Sequence, residues 1–168
     1  YDADHVGGLF RALRGLDGVA ATGDDVALAR AWDRGTEAVR DTLATRAYFA
    51  AVGDRRETAV PGDHWRAGAL DVRVLAPSPH VGASIRENDR GLALCVDVGT
   101  LRVFVPGDLP SSRQLAALEN CPSPDLVWAA HHGAADGTSA ALVAAAGHDA
   151  VVVISAGPDN VHCHPSPA

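Results

Sequence analysis

The spacing of apolar positions changes period several times along the chain, and each change predicts an element. Residues 6–16, VGGLFRALRGL, set Leu9, Leu13 and Leu16 at helical spacing. Residues 25–29, DVALA, have the length and content of a short strand. The spacing over 36–52 predicts a helix with Val39, Leu43 and Ala47 on one face. DVRVLAP, residues 71–77, alternates in period two and stops at a proline. GLALCVDVG and TLRVFVPGD read as two strands joined around Gly99, a hairpin. SSRQLAALEN, 111–120, opens on serines suited to capping and predicts a short helix. DLVWAA is a strand, 138–146 a helix beginning after Thr138 or Ser139, and AVVVISAG is expected as a fully buried strand. With no repeat, low-complexity tract or linker, this alternation predicts one layered α/β domain over 1–168.

Polar residues collect where these elements end. Asp108 follows LRVFVPG, His131 and His132 follow DLVWAA, and Asn160 and His164 follow AVVVIS. Asp2, Asp4 and His5 come immediately before the first helix. Loops at strand ends are where α/β proteins bind ligands. Carboxylate oxygen and imidazole nitrogen suit zinc, manganese or iron.

Each cluster also has a plainer reading. Asp4 can cap the helix over 6–16 as readily as bind a metal. Gly107–Asp108 is ordinary turn chemistry, although a carboxylate there could bridge two ions. Adjacent histidines do not easily bind one metal together. One of His131 and His132 is therefore expected to ligate and its neighbour to handle a proton or touch substrate. His64, His80 and His148 sit in turn-like contexts with no partner pattern and are expected at the surface.

Composition narrows the options. No run approaches the eighteen or so apolar residues of a membrane span. A net charge of −7 argues against a broadly basic nucleic-acid surface, though not against a nuclease whose metal supplies positive charge. All 14 basic residues are arginine, which resembles the codon bias of a GC-rich genome; the chain starts at Tyr1 and contains no methionine, so it is read as a fragment. Cys95, Cys121 and Cys163 form no CxxC pair and are expected as small buried hydrophobes rather than a disulfide framework or zinc knuckle. Cys163, between His162 and His164, is the exception to watch.

In their order, these stretches resemble the metallo-β-lactamase fold, in the branch found in ComEC-type competence proteins and related stand-alone hydrolases. The branch opens with S-H-x-[HD]-x-D-H-x-G-G, and YDADHVGG matches it from Asp2 through Asp4, His5, Gly7 and Gly8. ENDRGLAL resembles its N-D-x-S through Asn88 and Asp89, with Gly91 in place of the serine. VPGDL resembles L-x-G-D-L and supplies Asp108; HHGA is its H-H-G-[SA]. SAGPDNVHCHP resembles S-x-G-x-N-x-x-x-H-P through Ser155, Gly157, Asn160, His164 and Pro165. The motif's first histidine would precede Tyr1, together with the strands that normally come before it.

The resemblance implies an αβ/βα sandwich, incomplete at the N-terminus, with two divalent ions between its sheets, zinc first and manganese or iron as alternatives. It implies metal ligands among Asp2, Asp4, His5, Asp108, His131, His132 and His164, with Asp108 bridging. Asn88 and Asn160 would be substrate-side or supporting residues. Two ions about 3.5–4 Å apart acidify a bridging water for attack on phosphorus or a carbonyl carbon. Asp4, His131 or His132 would move the proton. The implied function is a metal-dependent hydrolase, first a phosphodiesterase or nuclease serving DNA uptake. A stand-alone enzyme acting on a lactone, ester or phosphorylcholine-type substrate is the alternative, and a decayed, non-catalytic scaffold a second. A bacterial parent fused to a competence channel would be membrane-associated; a stand-alone enzyme would be secreted or cytoplasmic.

Overall fold

The structure, a computed structural model, describes residues 9–15, 19, 23, 26–35, 41–76, 87–157 and 160–166. The chain is mixed α/β, and its contacts divide it into two compact units, Tyr1–Thr58 and Ala59–Ala168.

In the first unit, residues 9–12 are helical, within the predicted span, and Leu13 donates its amide to the Leu9 carbonyl at 2.9 Å. The strand expected over 25–29 is instead β1, Ala31–Asp33, which pairs in parallel with β2, Arg56–Thr58. Between them runs α1, Leu43–Val52. This helix starts later than the sequence pattern suggested. Thr42 is extended and its hydroxyl accepts the Thr45 amide at 3.1 Å, capping the helix there. Leu43 is therefore exposed at the first turn, and the buried stripe is Thr45, Tyr48 and Val52. Tyr48 and Val52 pack with Leu9, Phe10, Leu28, Ala31, Ala44 and Phe49.

Buried Asp33 locks this unit together. It accepts hydrogen bonds from the Tyr48 hydroxyl at 2.8 Å, the Arg56 guanidinium at 2.5 and 3.0 Å, and the Gly35 amide at 2.6 Å. Burial works to raise its pKa, but Arg56, the Gly35 amide and Tyr48 together hold it below the ordinary carboxylate range.

The second unit is a six-stranded sheet, ordered β3 (His64–Ala67), β4 (Leu70–Ala76), β5 (Ala93–Val98), β6 (Leu101–Val105), β7 (Leu126–Trp128) and β8 (Val151–Val153). The strands from β3 to β6 pair antiparallel, and β6, β7 and β8 run parallel. The β5–β6 hairpin turns at Gly99 as predicted, with φ of 62°. Crossover helices α2 (Ser111–Leu118) and α3 (Ala140–Ala146) connect the parallel strands, as parallel pairing requires. Ser139 caps α3 by accepting the Leu142 amide. No side chain caps α2; Pro110 precedes it, and the Ser111 amide donates to the Asp136 carbonyl at 3.0 Å.

Alternation separates the faces of the sheet. Cys95, Phe104 and Val127 pack with Leu118 of α2 and Leu142 and Ala146 of α3, forming the core. On the other face, paired residues make an apolar row across all six strands: Trp65, Val72, Val96, Val103, Leu126 and Val151.

Two expectations fail here. β8 is not a fully buried strand: Val151 and Val152 are 59% and 36% exposed. It is the outermost strand, and a valine run reads alike in a central and an edge position. Cys95 and Cys121 are buried as expected, but they form a disulfide, with Cα atoms 5.5 Å apart. Their separation of 26 residues carries no motif, so only folding brings them together.

Candidate metal centre

Three consecutive parallel strands deliver candidate ligands to one edge of the sheet. Asp108 lies just past β6, His131 and His132 just past β7, and Ser155, Asn160 and His164 beyond β8. This is the carboxyl edge of the parallel part of the sheet, where α/β folds place ligands.

The β6 end is a tight turn. Gly107 has φ of 58°, and a Cβ there would come within 2.6 Å of the Leu92 carbonyl oxygen, so glycine is required where Asp108 is presented. Asn88 and Asp89 stand on a 3-10 turn at Glu87–Arg90. Arg113 of α2 holds Asp89 at 2.8 Å, and Gly91 lies against the Asp108–Leu109 backbone. The stretch matched through Asn88 is thus brought beside the turn that carries Asp108.

The histidine doublet is conformationally costly. His131 and His132 have φ of 50° and 56°, and Gly133 follows at 81°. A left-handed non-glycine residue costs about 1–2 kcal/mol, so the surroundings must hold this turn in place. The His131 amide donates to the Gly107 carbonyl at 3.1 Å, tying this turn to that of Asp108. The Ala130 amide donates to the Thr138 hydroxyl at 3.0 Å.

The two rings have different neighbours. His132 Nδ1 lies 2.9 Å from the Ser155 carbonyl oxygen. A carbonyl can only accept, so Nδ1 carries the proton and Nε2 the lone pair of the neutral ring. A backbone carbonyl orienting the other ring nitrogen is what metal-ligating imidazoles use. His131 has its ring centre 5.6 Å from that of His164, and its Nδ1 is 3.5 Å from an Asp136 carboxylate oxygen.

Asn160 organises the third loop. Its amide nitrogen donates to the carbonyls of Gly157 at 2.7 Å and His164 at 2.8 Å, and its oxygen accepts the His164 amide at 2.8 Å. The Ser166 amide then donates to the Gly133 carbonyl at 2.9 Å, drawing this loop onto the doublet. His162 stacks on His164 at 5.7 Å, and Cys163 between them is exposed. His164 Nδ1 is buried and has no hydrogen-bond partner among the described residues. An orphaned buried nitrogen is costly in a protein interior, and its lone pair has the donor chemistry of a metal ligand.

Asp2, Asp4 and His5 lie outside the described residues, as does His80. Among the described residues, no group of three or more His, Cys, Asp or Glu side chains is gathered closely enough to hold an ion. His148 is exposed, whereas His64 is half-exposed with its Nε2 2.6 Å from Asp71, a partner the sequence reading did not foresee.

The sequence reading also missed Asp136 and Gln114. Gln114 is fully buried on α2, and its amide nitrogen donates to the Leu109 carbonyl at 2.5 Å and the Gly137 carbonyl at 3.0 Å. A polar residue on the stripe shared with Ala117 and Leu118 was the available signal. No protein-family model matches the chain, and no curated protein matches it. Among the described residues no helix is long and apolar enough to cross a membrane.

Proposed function

We propose that the chain is a metal-dependent hydrolase of the metallo-β-lactamase type, acting first on phosphodiesters. The observation that carries this reading is the convergence of Asp108, the His131–His132 turn and His164 at the ends of three adjacent parallel strands, with His164 Nδ1 buried and unpartnered among the described residues. Two further features support it. His132 is held in the tautomer of a ligating imidazole by Ser155. The apolar row from Trp65 to Val151, opposite the helices, is suited to the second sheet of an αβ/βα sandwich.

In this reading Asp108, His132 and His164 hold metal; Asp2, Asp4 and His5, the other ligands the resemblance implies, lie outside the described residues. Zinc, or manganese or iron, would supply an acidified water and positive charge against the developing anion. The protein's part is positional. The Gly107 carbonyl anchors the His131 turn, Asn160 anchors the His164 loop, and the His131–Asp136 pair can accept and release a proton beside the reacting centre.

The net charge of −7 favours a second reading, a small ester, lactone or phosphorylcholine-type substrate instead of a long polyanion. Hydrolysis of bis(p-nitrophenyl) phosphate, single-stranded DNA and a lactone series, with zinc or manganese added, separates the two. The proposal expects phosphodiester turnover that chelation and Asp108→Ala both abolish. Turnover confined to lactones or esters would establish the second reading. No turnover of any of them would leave the decayed scaffold.

A further inference from the structure

We propose that Gln114 is the positioning residue of this site, its carboxamide fixing the distance between the Asp108 turn and the loop that follows His131 and His132. The inference rests on the metal reading for its consequence, but its geometry stands apart from it. Gln114 is fully buried, and its two N–H groups go to two carbonyls, Leu109 beside Asp108 and Gly137 in the loop that starts at Ala130. A flipped amide would set its oxygen against both carbonyls, so the network fixes the orientation.

The same loop is closed from within by Ala130 to Thr138 and from Gly137 to Ala134. A Cβ at Gly137 would lie 2.5 Å from the Ala130 carbonyl oxygen, so the Gly137 carbonyl reports directly on where Ala130 and His131 begin. One side chain therefore bridges two site-bearing turns that are also joined by the main-chain bonds from His131 to Gly107 and from Ser111 to Asp136. The oxygen of Gln114 has no partner among the described residues. Partners that orient ligand-bearing groups typically cost 10–100-fold in metal affinity when removed.

The test compares Gln114→Met, which keeps the volume and removes both donors, with Leu142→Ala, a core truncation on α3. Zinc affinity is measured by competition with a chromophoric chelator, and exchange of the His131 amide by NMR. Gln114→Met is expected to weaken zinc binding by about 10–100-fold and to accelerate His131 exchange relative to the β5 amides. Leu142→Ala should lower the melting temperature while leaving zinc affinity within about twofold. Unchanged affinity and exchange in Gln114→Met, or an equal loss in Leu142→Ala, would overturn the proposal. If the unaltered chain binds no zinc, the metal reading fails by itself, and His131 exchange alone decides the positional claim. If Gln114→Met does not fold, Gln114→Asn, with both donors on a shorter stem, is read the same way and is expected to show the loss in smaller measure.

Discussion

His132 donates from Nδ1 to the carbonyl oxygen of Ser155 across 2.9 Å, joining the turn after β7 to the segment after β8. The bond fixes which nitrogen carries the lone pair, and it comes from a residue with strained backbone geometry. The doublet thus has two roles: His132 is oriented from behind by the main chain, and His131 lies between His164 and Asp136.

The strain predicts an unusual ranking of variants. His131→Ala keeps a left-handed β-carbon and loses the ring, whereas His131→Gly loses the ring and the penalty. His131→Gly should therefore be more stable than His131→Ala by about 1 kcal/mol, with both impaired in hydrolysis. Urea denaturation of the two variants gives the difference.

Asn160 should behave as a support of the site more than of the fold. Asn160→Ala removes three hydrogen bonds that shape the loop of His164. The loop is half-exposed, so the loss of stability should stay near 1–2 kcal/mol, while zinc affinity falls at least tenfold. Asn160→Asp keeps the acceptor for the His164 amide and should fall between. Thermal melts paired with metal titration check both halves.

The disulfide ties the buried strand β5 to the segment just after α2, the helix that carries Gln114. Closing a loop of this length contributes about 3 kcal/mol. Reduction, or Cys95→Ala with Cys121→Ala, should lower the unfolding free energy from urea denaturation by that amount and move the midpoint down accordingly. Equal midpoints with and without reductant would contradict it.

In the first unit the pH dependence has a definite sign. The folded-state pKa of Asp33 is depressed, so its contribution is fully present above the unfolded carboxylate value near 3.9 and is lost as pH falls through the folded value. Asp33→Asn should lower stability at pH 7 and flatten the loss of stability as pH falls below about 4. Denaturant midpoints for both chains across that range test it.

Much of this fold was legible in the residues. The period-two stretches became β4, β5 and β6, and the Gly99 hairpin and both crossover helices lie where the pattern set them. Asp108, His131, His132 and His164 also arrive at one sheet edge, because strand ends are visible in sequence and parallel pairing aligns them. What was not legible depends on three-dimensional closure. β3 pairs through a short, largely exposed segment with no strong alternation. Cys95 meets Cys121 only when α2 docks, and Gln114, although it stands on the apolar stripe of α2, meets its partners only when the two turns it bridges are in place. The helix start at Leu43 followed from a local hydroxyl cap that outweighed apolar spacing.

On the proposed reading, the strand ends carrying Asp108, His132 and His164 form a metal site. Metal content by elemental analysis after dialysis, for the unaltered chain and for Asp108→Ala and His164→Ala, tests it most directly. The account predicts about two divalent ions per chain, with Asp108→Ala near zero and His164→Ala reduced while both variants keep their cooperative melts. An unaltered chain that folds and carries no stoichiometric metal would contradict it.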